Sequence, residues 1–141
     1  MRIRGTCYSG CVTYIVTIDP DKILACHCAD WQKFSGAPYR TVASALAKNV
    51  KITGTPKHYV KIAQNGNRRD QSFCGTCGTK LYATNPDNSA VFGLRLGTIV
   101  KRAELTPKQH IRGISAMPWV THIAHAPWFI ESPSSAAFSP N

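Results

Sequence analysis

The stretch Phe73-Cys74-Gly75-Thr76-Cys77-Gly78 carries the strongest chemical signal in the chain. Its two thiols stand two residues apart between glycines, as in a metal-binding turn whose backbone amides point at both sulfurs. Gly75 and Gly78 suit such a turn because glycine readily adopts the positive φ that a tight loop requires. A tetrahedral zinc site takes four ligands, so this turn predicts half of a site completed from elsewhere in the chain. The other cysteines form two further groups, Cys7 with Cys11 and Cys26 with Cys28.

The overall charge of the chain bears on its partners. The 141 residues are enough for one ordinary domain, and 17 Lys and Arg against 7 Asp and Glu give a formal charge of +10. This balance favours anionic partners, either nucleic acid or an acidic small molecule such as a tripeptide thiol. Basic residues are adjacent only at Arg68-Arg69 and Lys101-Arg102. Because no compact basic arm is present, the sequence favours the small anion over nucleic acid.

The cysteines and the hydropathy pattern bear on the compartment. No apolar signal core follows the basic first residues, and no run of about 18 apolar residues occurs. These patterns predict a cytoplasmic protein that does not cross a membrane. In a reducing compartment, six cysteines grouped in close pairs are expected to be metal ligands or reactive thiols rather than disulfides.

Strand signals recur along the chain at short spacing. Runs rich in β-branched and aromatic residues, separated by turn residues, predict strands at 11–18, 39–45, 50–54, 58–63, 69–73, 79–84 and 90–95. A helical turn is predicted at 29–35 and a hairpin-type turn at 64–67. No long amphipathic helix occurs, which indicates an all-β sandwich or folded antiparallel sheet with little helix. The domain is predicted to span 1–131, with a disordered tail of Ser, Pro and Ala at 132–141.

Taken together, the three cysteine segments are more specific than any one of them. They are Gly5-Thr6-Cys7-Tyr8-Ser9-Gly10-Cys11-Val12, then Cys26-His27-Cys28-Ala29-Asp30-Trp31, then the turn at 73–78. This layout, over residues 3–131, resembles the glutathione-dependent formaldehyde-activating enzyme family, which includes centromere protein V. The resemblance implies a mainly β, zinc-containing fold with two metal sites, one structural and one with an open coordination position.

The resemblance assigns the structural site to Cys7, Cys74, Cys77 and the position of Ser9, where the family has cysteine. A neutral hydroxyl is a much poorer zinc ligand than a thiolate, so the fourth donor stays open between Ser9, Cys11 and water. Cys11 has a second interpretation as a buried free thiol that packs like a small hydrophobe. Strand alternation with Thr13 and Ile15 on a core-facing side favours that second interpretation.

The second site of the family would use Cys26, Cys28 and the position of Trp31. An indole cannot ligate zinc, and two thiolates alone hold the metal weakly. His27 lies between the thiols but points to the opposite side of an extended strand, which predicts a packed or hydrogen-bonded histidine rather than a ligand. The second site is therefore expected to be empty or only transiently occupied.

The resemblance also implies an activity, that of S-(hydroxymethyl)glutathione synthase, a carbon-sulfur lyase that adds glutathione to an aldehyde. On this interpretation Cys26 and Cys28 are catalytic, and Lys33 and Arg40, with Arg95 as another candidate, pair with the carboxylates of glutathione. The substitutions at Ser9 and Trp31 leave an alternative of a different class, a non-catalytic zinc-stabilised β scaffold for a protein or polyanionic partner.

Overall fold

The computed structural model describes residues 1–63 and 65–140. The strands in this part of the chain are β1 (Arg2–Thr6), β2 (Thr13–Thr17), β3 (Ile23–Cys26), β4 (Arg40–Leu46), β5 (Val50–Thr53), β6 (Lys57–Ile62), β7 (Arg68–Phe73), β8 (Lys80–Thr84), β9 (Val91–Arg95) and β10 (Gln109–Ile111). One α-helix, α1, spans Ala29–Ser35. Short 3-10 turns lie at Pro20–Lys22, Ala47–Asn49, Leu96–Thr98, Arg102–Glu104, Gly113–Ser115 and Ile123–His125. No helix among these residues is long and apolar enough to span a membrane.

The strands form two sheets. A three-stranded sheet has the order β1-β2-β5, and a seven-stranded sheet has the order β10-β3-β4-β9-β8-β7-β6. All pairs are antiparallel except β10 with β3, which is parallel. An isolated bridge between Gly5 and Ile99 connects β1 to the segment that follows β9. This architecture confirms the predicted mainly β fold with little helix.

The structure adds three strands to those expected from sequence. β1 and β10 lacked a sequence prediction, and residues 23–28 were recognised only as a short apolar run, of which Ile23–Cys26 forms β3. The turn predicted at 64–67 includes residue 64, which lies outside the described residues; next to it, Ala63 N–H donates to the Asn67 carbonyl at 2.8 Å. Helix α1 occupies the predicted residues and ends at Gly36, whose φ of 64° forms a left-handed cap.

The core lies between the two sheets and includes the cysteines of the opening stretch. Its fully buried side chains are mostly branched aliphatics, which suit pleated strands; the largest are Ile23, Leu81, Leu94 and Ile99. Cys7 and Cys74 belong to the same buried cluster, with exposures of 2% and 1%. A metal held by these thiols is therefore placed to tie the small sheet to the large one.

Gly5 in β1 is explained by a close contact with a tyrosine of β2. In the register of β1 with β2, Gly5 lies opposite Tyr14. A Cβ on Gly5 would stand 1.9 Å from the Tyr14 ring, so the tyrosine ring occupies the space above the glycine. The Tyr14 hydroxyl lies 2.6 Å from Thr98 Oγ1 in the core. The ring thus covers the glycine and connects β2 to the segment beyond β9.

Replacing Gly5 with alanine should destabilise the domain by about 1–3 kcal/mol, the usual cost of overpacking. The added methyl group has to displace the Tyr14 ring and break its contact with Thr98. Gly97→Ala is the matched control, because Gly97 has open space around its Cβ position and its change should stay within about 0.5 kcal/mol. Chemical denaturation of the three proteins measures both effects, and equal stabilities for the two variants would contradict the packing described.

Candidate metal centre and thiol site

Three thiols converge where β1 ends and where the turn between β7 and β8 begins. The sulfurs of Cys7, Cys74 and Cys77 all lie within 4.8 Å of one another. In the part of the chain that the structure describes, this is the one group of three Cys, His or acidic side chains near enough to share a metal ion. The prediction that the turn at 73–78 lies beside Cys7 therefore agrees with the observed geometry.

Two tight turns present these sulfurs. Gly78, with φ of 75°, donates to the Cys74 carbonyl at 2.8 Å, and Cys74 N–H donates to the Thr79 carbonyl at 2.9 Å. On the other side, Gly10 has φ of 81° and donates to the Cys7 carbonyl at 3.2 Å. Both glycines adopt backbone angles that other residues rarely reach. Gly10 and Gly78 thus shape the two loops. Gly75 does not adopt the positive φ expected of it; a Cβ there would instead meet the Lys57 side chain at 2.9 Å.

Hydrogen bonds to the sulfurs favour their ionised forms. Val12 N–H donates to Cys7 Sγ at 3.3 Å and Ser9 N–H donates to Cys77 Sγ at 3.4 Å. Hydrogen bonds from Ser9 and then from Thr79 lower the pKa of Cys77 to about 5. Burial opposes ionisation of Cys7, but its hydrogen bonds to Ser9, Val12 and Cys74 lower its pKa on balance. Thiolates are the form that zinc binds.

The Ser9 side chain lies beside the sulfur cluster. Its hydroxyl oxygen lies 3.4 Å from Cys7 Sγ and 3.7 Å from Cys74 Sγ. Cys11 is exposed, and its backbone N–H donates to the Ser9 hydroxyl at 3.4 Å. The expected core-facing alternation of Cys11, Thr13 and Ile15 is wrong, because the buried side chains here are Val12, Tyr14 and Val16. Cys11 is therefore not a small hydrophobe of the core.

The donor set at this cluster fits a zinc ion. In a tetrahedral shell with zinc–sulfur bonds of about 2.3 Å, the sulfurs lie roughly 3.8 Å apart. The three sulfurs here, all within 4.8 Å of one another, are near enough to share one ion. Three sulfur ligands and a hydroxyl or water would complete a tetrahedral shell. Zinc bound there would contribute free energy to folding by joining β1 to the turn between β7 and β8.

The second thiol pair lies where β3 passes into α1. Cys26 ends β3 and is buried, whereas Cys28 is half-buried and caps the helix, its sulfur accepting from Trp31 N–H at 3.4 Å. Burial raises the pKa of Cys26, which also has a side-chain hydrogen bond with Cys28. The donors here do not fit the family's second metal site, because the third position is an indole and no third ligand joins the pair among the described residues.

His27 lies away from the two thiols, as predicted. Its Nε2 is 2.8 Å from His110 Nδ1 on β10, and its ring packs against Tyr39. These contacts agree with the prediction of a packed or hydrogen-bonded histidine. Burial, and then the neighbouring His110, lower the pKa of His27. The hydrogen bond between the two rings helps hold β10 beside β3.

The Trp31 indole covers a group of positive charges. The guanidinium carbon of Arg40 lies 4.0 Å from the ring centroid and that of Arg95 lies 5.4 Å away. Lys61 Nζ is 4.8 Å from the same centroid and forms a salt bridge with Asp30. Cations over an indole face are stabilised by its quadrupole. The indole at position 31 thus faces arginines.

Arg40 and Arg95 both donate hydrogen bonds to one neutral acceptor, the side chain of Gln71. Arg40 Nη1 donates to Gln71 Oε1 at 3.2 Å, and Arg95 Nη2 donates to the same oxygen at 3.1 Å. Burial lowers the pKa of Arg40 to about 10, and burial together with Arg40 and Arg69 lowers that of Arg95 to about 8. Arginine gives up its proton with great difficulty, so these directions describe two positive charges confined together without a balancing anion. Lys33, the other predicted anion contact, is exposed on α1.

Gln71 and the histidine pair were not identified from sequence. Arg95 closes an otherwise apolar strand, and an arginine in such a position is a usable signal. Gln71 gives no comparable signal, because its partners come from β4 and β9 and are adjacent only in the folded sheet. His110 likewise meets His27 through the parallel pairing of β10 with β3.

Two comparisons with known proteins bear on this geometry. The family model for glutathione-dependent formaldehyde-activating enzymes matches residues 2–114 of the chain. A crystal structure of a Rhodobacter sphaeroides protein is similar with a TM-score of 0.59 and 18% identity, over 77% of this chain and 99% of that one. No curated protein sequence matches the chain. At 18% identity the solved structure is evidence for the fold alone.

Proposed function

Because the chain belongs to the glutathione-dependent formaldehyde-activating enzyme family, we propose that it is a carbon-sulfur lyase of the S-(hydroxymethyl)glutathione synthase type. The reaction adds the thiol of glutathione, or a similar anionic thiol, to an aldehyde. The observation that carries the proposal is the Cys26 and Cys28 pair at the start of α1, beside the arginine cluster. The free state of all six cysteines suits a reducing compartment such as the cytoplasm.

The proposed chemistry uses groups of the chain itself at this second site. The sulfur of the incoming thiol forms a bond to the carbonyl carbon, the carbonyl π pair moves to oxygen, and that oxygen takes up the proton that the thiol gives up. Cys28, the more accessible thiol, contacts the reacting groups. Cys26, which burial keeps protonated, supports Cys28 by their hydrogen bond. Positive charge at Arg40 and Arg95 favours an approaching thiolate.

Anionic groups of the substrate have two candidate contacts. Lys33 is exposed on α1 and suits a carboxylate at the surface. Arg40 is buried and packs on the Trp31 ring, and it would pair with a carboxylate that enters the cavity it lines. The family's structural metal is assigned in this proposal to Cys7, Cys74 and Cys77, with Ser9 or water as the fourth ligand.

Cys28→Ser should lower the enzymatic rate of adduct formation by about a hundredfold or more, the lower end of what a positioned proton-transfer group contributes. The measurement follows the adduct of glutathione and formaldehyde by ¹³C NMR exchange and subtracts the spontaneous reaction. Cys11→Ser is the matched control, because Cys11 is exposed and lies at the other thiol cluster. A parent protein that adds nothing to the spontaneous rate would contradict the enzymatic proposal.

One observation favours a second candidate function. Trp31 stands in a ligand position of the family and packs on Arg40, which suits a zinc-stabilised β scaffold that binds a protein or polyanion without catalysis. Such a scaffold should be retained on a polyanion column and released by modest salt, with no glutathione-dependent shifts in the NMR spectrum around Cys26 to Gly36.

A further inference from the structure

A cavity of about 230 Å³ is lined by residues of the large sheet, from β4 to β6, and by Phe34 of α1. Arg40, Gln71 and Arg95 line one part of it. Arg40 is 4% exposed and Arg95 is 8% exposed, so both residues are more than nine-tenths buried. Typical ligand pockets measure about 300–1,000 Å³, which limits this cavity to a ligand smaller than a drug-sized molecule.

Among the described residues, the two arginines at this cavity have no carboxylate partner. Neither Arg40 nor Arg95 is in a salt bridge among residues 1–63 and 65–140. The nearest carboxylate in sequence, Asp70, is 2.7 Å from His58 instead. Arg40 Nε, Arg95 Nε and Gln71 Nε2 are buried without a hydrogen-bond partner. Buried donors and charges left in this state cost folding free energy, and an anion with two oxygens would satisfy them.

The other side chains that line the cavity indicate which chemical group is attached to the anionic group of the ligand. Phe34, Tyr59, Phe73 and Tyr82 line the cavity together with exposed Lys80. Phe34 and Tyr59 have ring centroids 6.0 Å apart, a separation at which aromatic rings interact. An inorganic oxyanion would contact the arginines but would not cover the aromatic part of this lining. A ligand with a planar apolar body and one acidic group would contact both parts of the lining.

We propose that this cavity binds a small carboxylic acid with an aromatic body, its carboxylate held by Arg40 and Arg95 and its ring held between the aromatic walls. The planar guanidinium fork matches the two oxygens of a carboxylate, and such charge-assisted hydrogen bonds are the strong ones. Gln71 keeps the two arginines together by accepting from both. This site shares Arg40 and Arg95 with the proposed lyase, but binding of the acid requires no reaction at the thiols.

The first experiment uses the unmodified protein and titrates it with benzoate by isothermal titration calorimetry. Benzamide keeps the shape of benzoate without its charge and should bind about tenfold or more weakly. Inorganic phosphate has charge without an apolar body and should also bind about tenfold or more weakly. Benzoate should raise the melting temperature in proportion to the occupancy of the site. Benzamide or phosphate binding as tightly as benzoate would overturn the assignment.

The second experiment removes one of the two charges. Arg95→Met should weaken benzoate binding about tenfold or more, and Gln71→Leu provides a second test of the same site if the first variant does not fold. Arg68→Met is the matched control, because Arg68 is half-exposed on the same sheet and pairs with Asp87 at 2.8 Å. Unchanged benzoate affinity in a folded Arg95→Met or Gln71→Leu protein would overturn the proposal, whatever the outcome of the thiol-aldehyde assay.

Discussion

Replacing Cys74 with serine should unfold the domain or lower its free energy of unfolding by about 4–5 kcal/mol or more, the range reached when a structural metal is lost. Cys74 is 1% exposed, and its sulfur stands with those of Cys7 and Cys77 in one cluster. A serine hydroxyl at this position is a poor zinc ligand, and the remaining donors then hold the metal weakly. Thermal melts together with metal analysis of the purified protein measure the effect.

Two controls separate loss of metal from loss of packing in that experiment. A chelator should destabilise the parent protein strongly and shift the Cys74→Ser variant little, because the variant has already lost its metal. Cys11→Ser should stay within about 0.5 kcal/mol of the parent, since Cys11 is exposed and outside the sulfur cluster. If Cys74→Ser keeps the melting temperature and the metal content of the parent, the turn at 73–78 is not a metal centre.

Trp31→Cys should raise the zinc content from about one to about two metal ions per chain, if the thiol pair at 26–28 lacks only its third ligand. Trp31 N–H donates to Cys28 Sγ at 3.4 Å, since Cys28 is the N-cap residue and Trp31 is the third residue of the helix. Side chains at these two positions lie next to each other at a helix start. The introduced sulfur would therefore stand beside that of Cys28.

Metal analysis by mass spectrometry after dialysis measures this stoichiometry. Trp31→Ser is the matched control, because it removes the same indole from Arg40 without adding a thiol, and its zinc content should stay at about one. A Trp31→Cys protein that keeps the parent stoichiometry would show that the mapping of this segment onto the family's second site is wrong. Loss of the cation-π contact should also cost both variants about 0.5–2 kcal/mol of stability.

The features that could be predicted from sequence are those fixed by near neighbours. Strand periodicity and turn residues are local, which is why β5 to β9 fall close to their predicted ranges. Helix α1 was placed correctly because Gly36 ends it and Pro38 prevents its continuation. The cysteine turn was recognisable because glycine and thiol spacing together describe a loop geometry. These local features can be predicted without knowing the order of the strands in the sheets.

The features that could not be predicted depend on which strands become neighbours. Cys11 was predicted to be buried because alternation alone does not show which face of a strand is buried. The buried face here is that of Val12 and Tyr14. The meeting of Arg40, Arg95 and Gln71 follows from the order β4-β9-β8-β7 in the large sheet. The three β strands that carry them are distant in sequence, so no short pattern contains the site.

The parallel pairing of β10 with β3 has a consequence for the order in which the chain is completed during synthesis. Residues 109–111 pair with residues 24–26. More than half of the chain must therefore be synthesised after β3 before this neighbouring strand exists. Until then the strand that ends at Cys26 is a sheet edge with unpaired backbone groups, which invites pairing with another chain. Non-local pairings of this kind also form slowly. The thiol at the end of β3 therefore lies on a sheet edge that stays open until residues 109–111 have been made, where a chaperone can protect it.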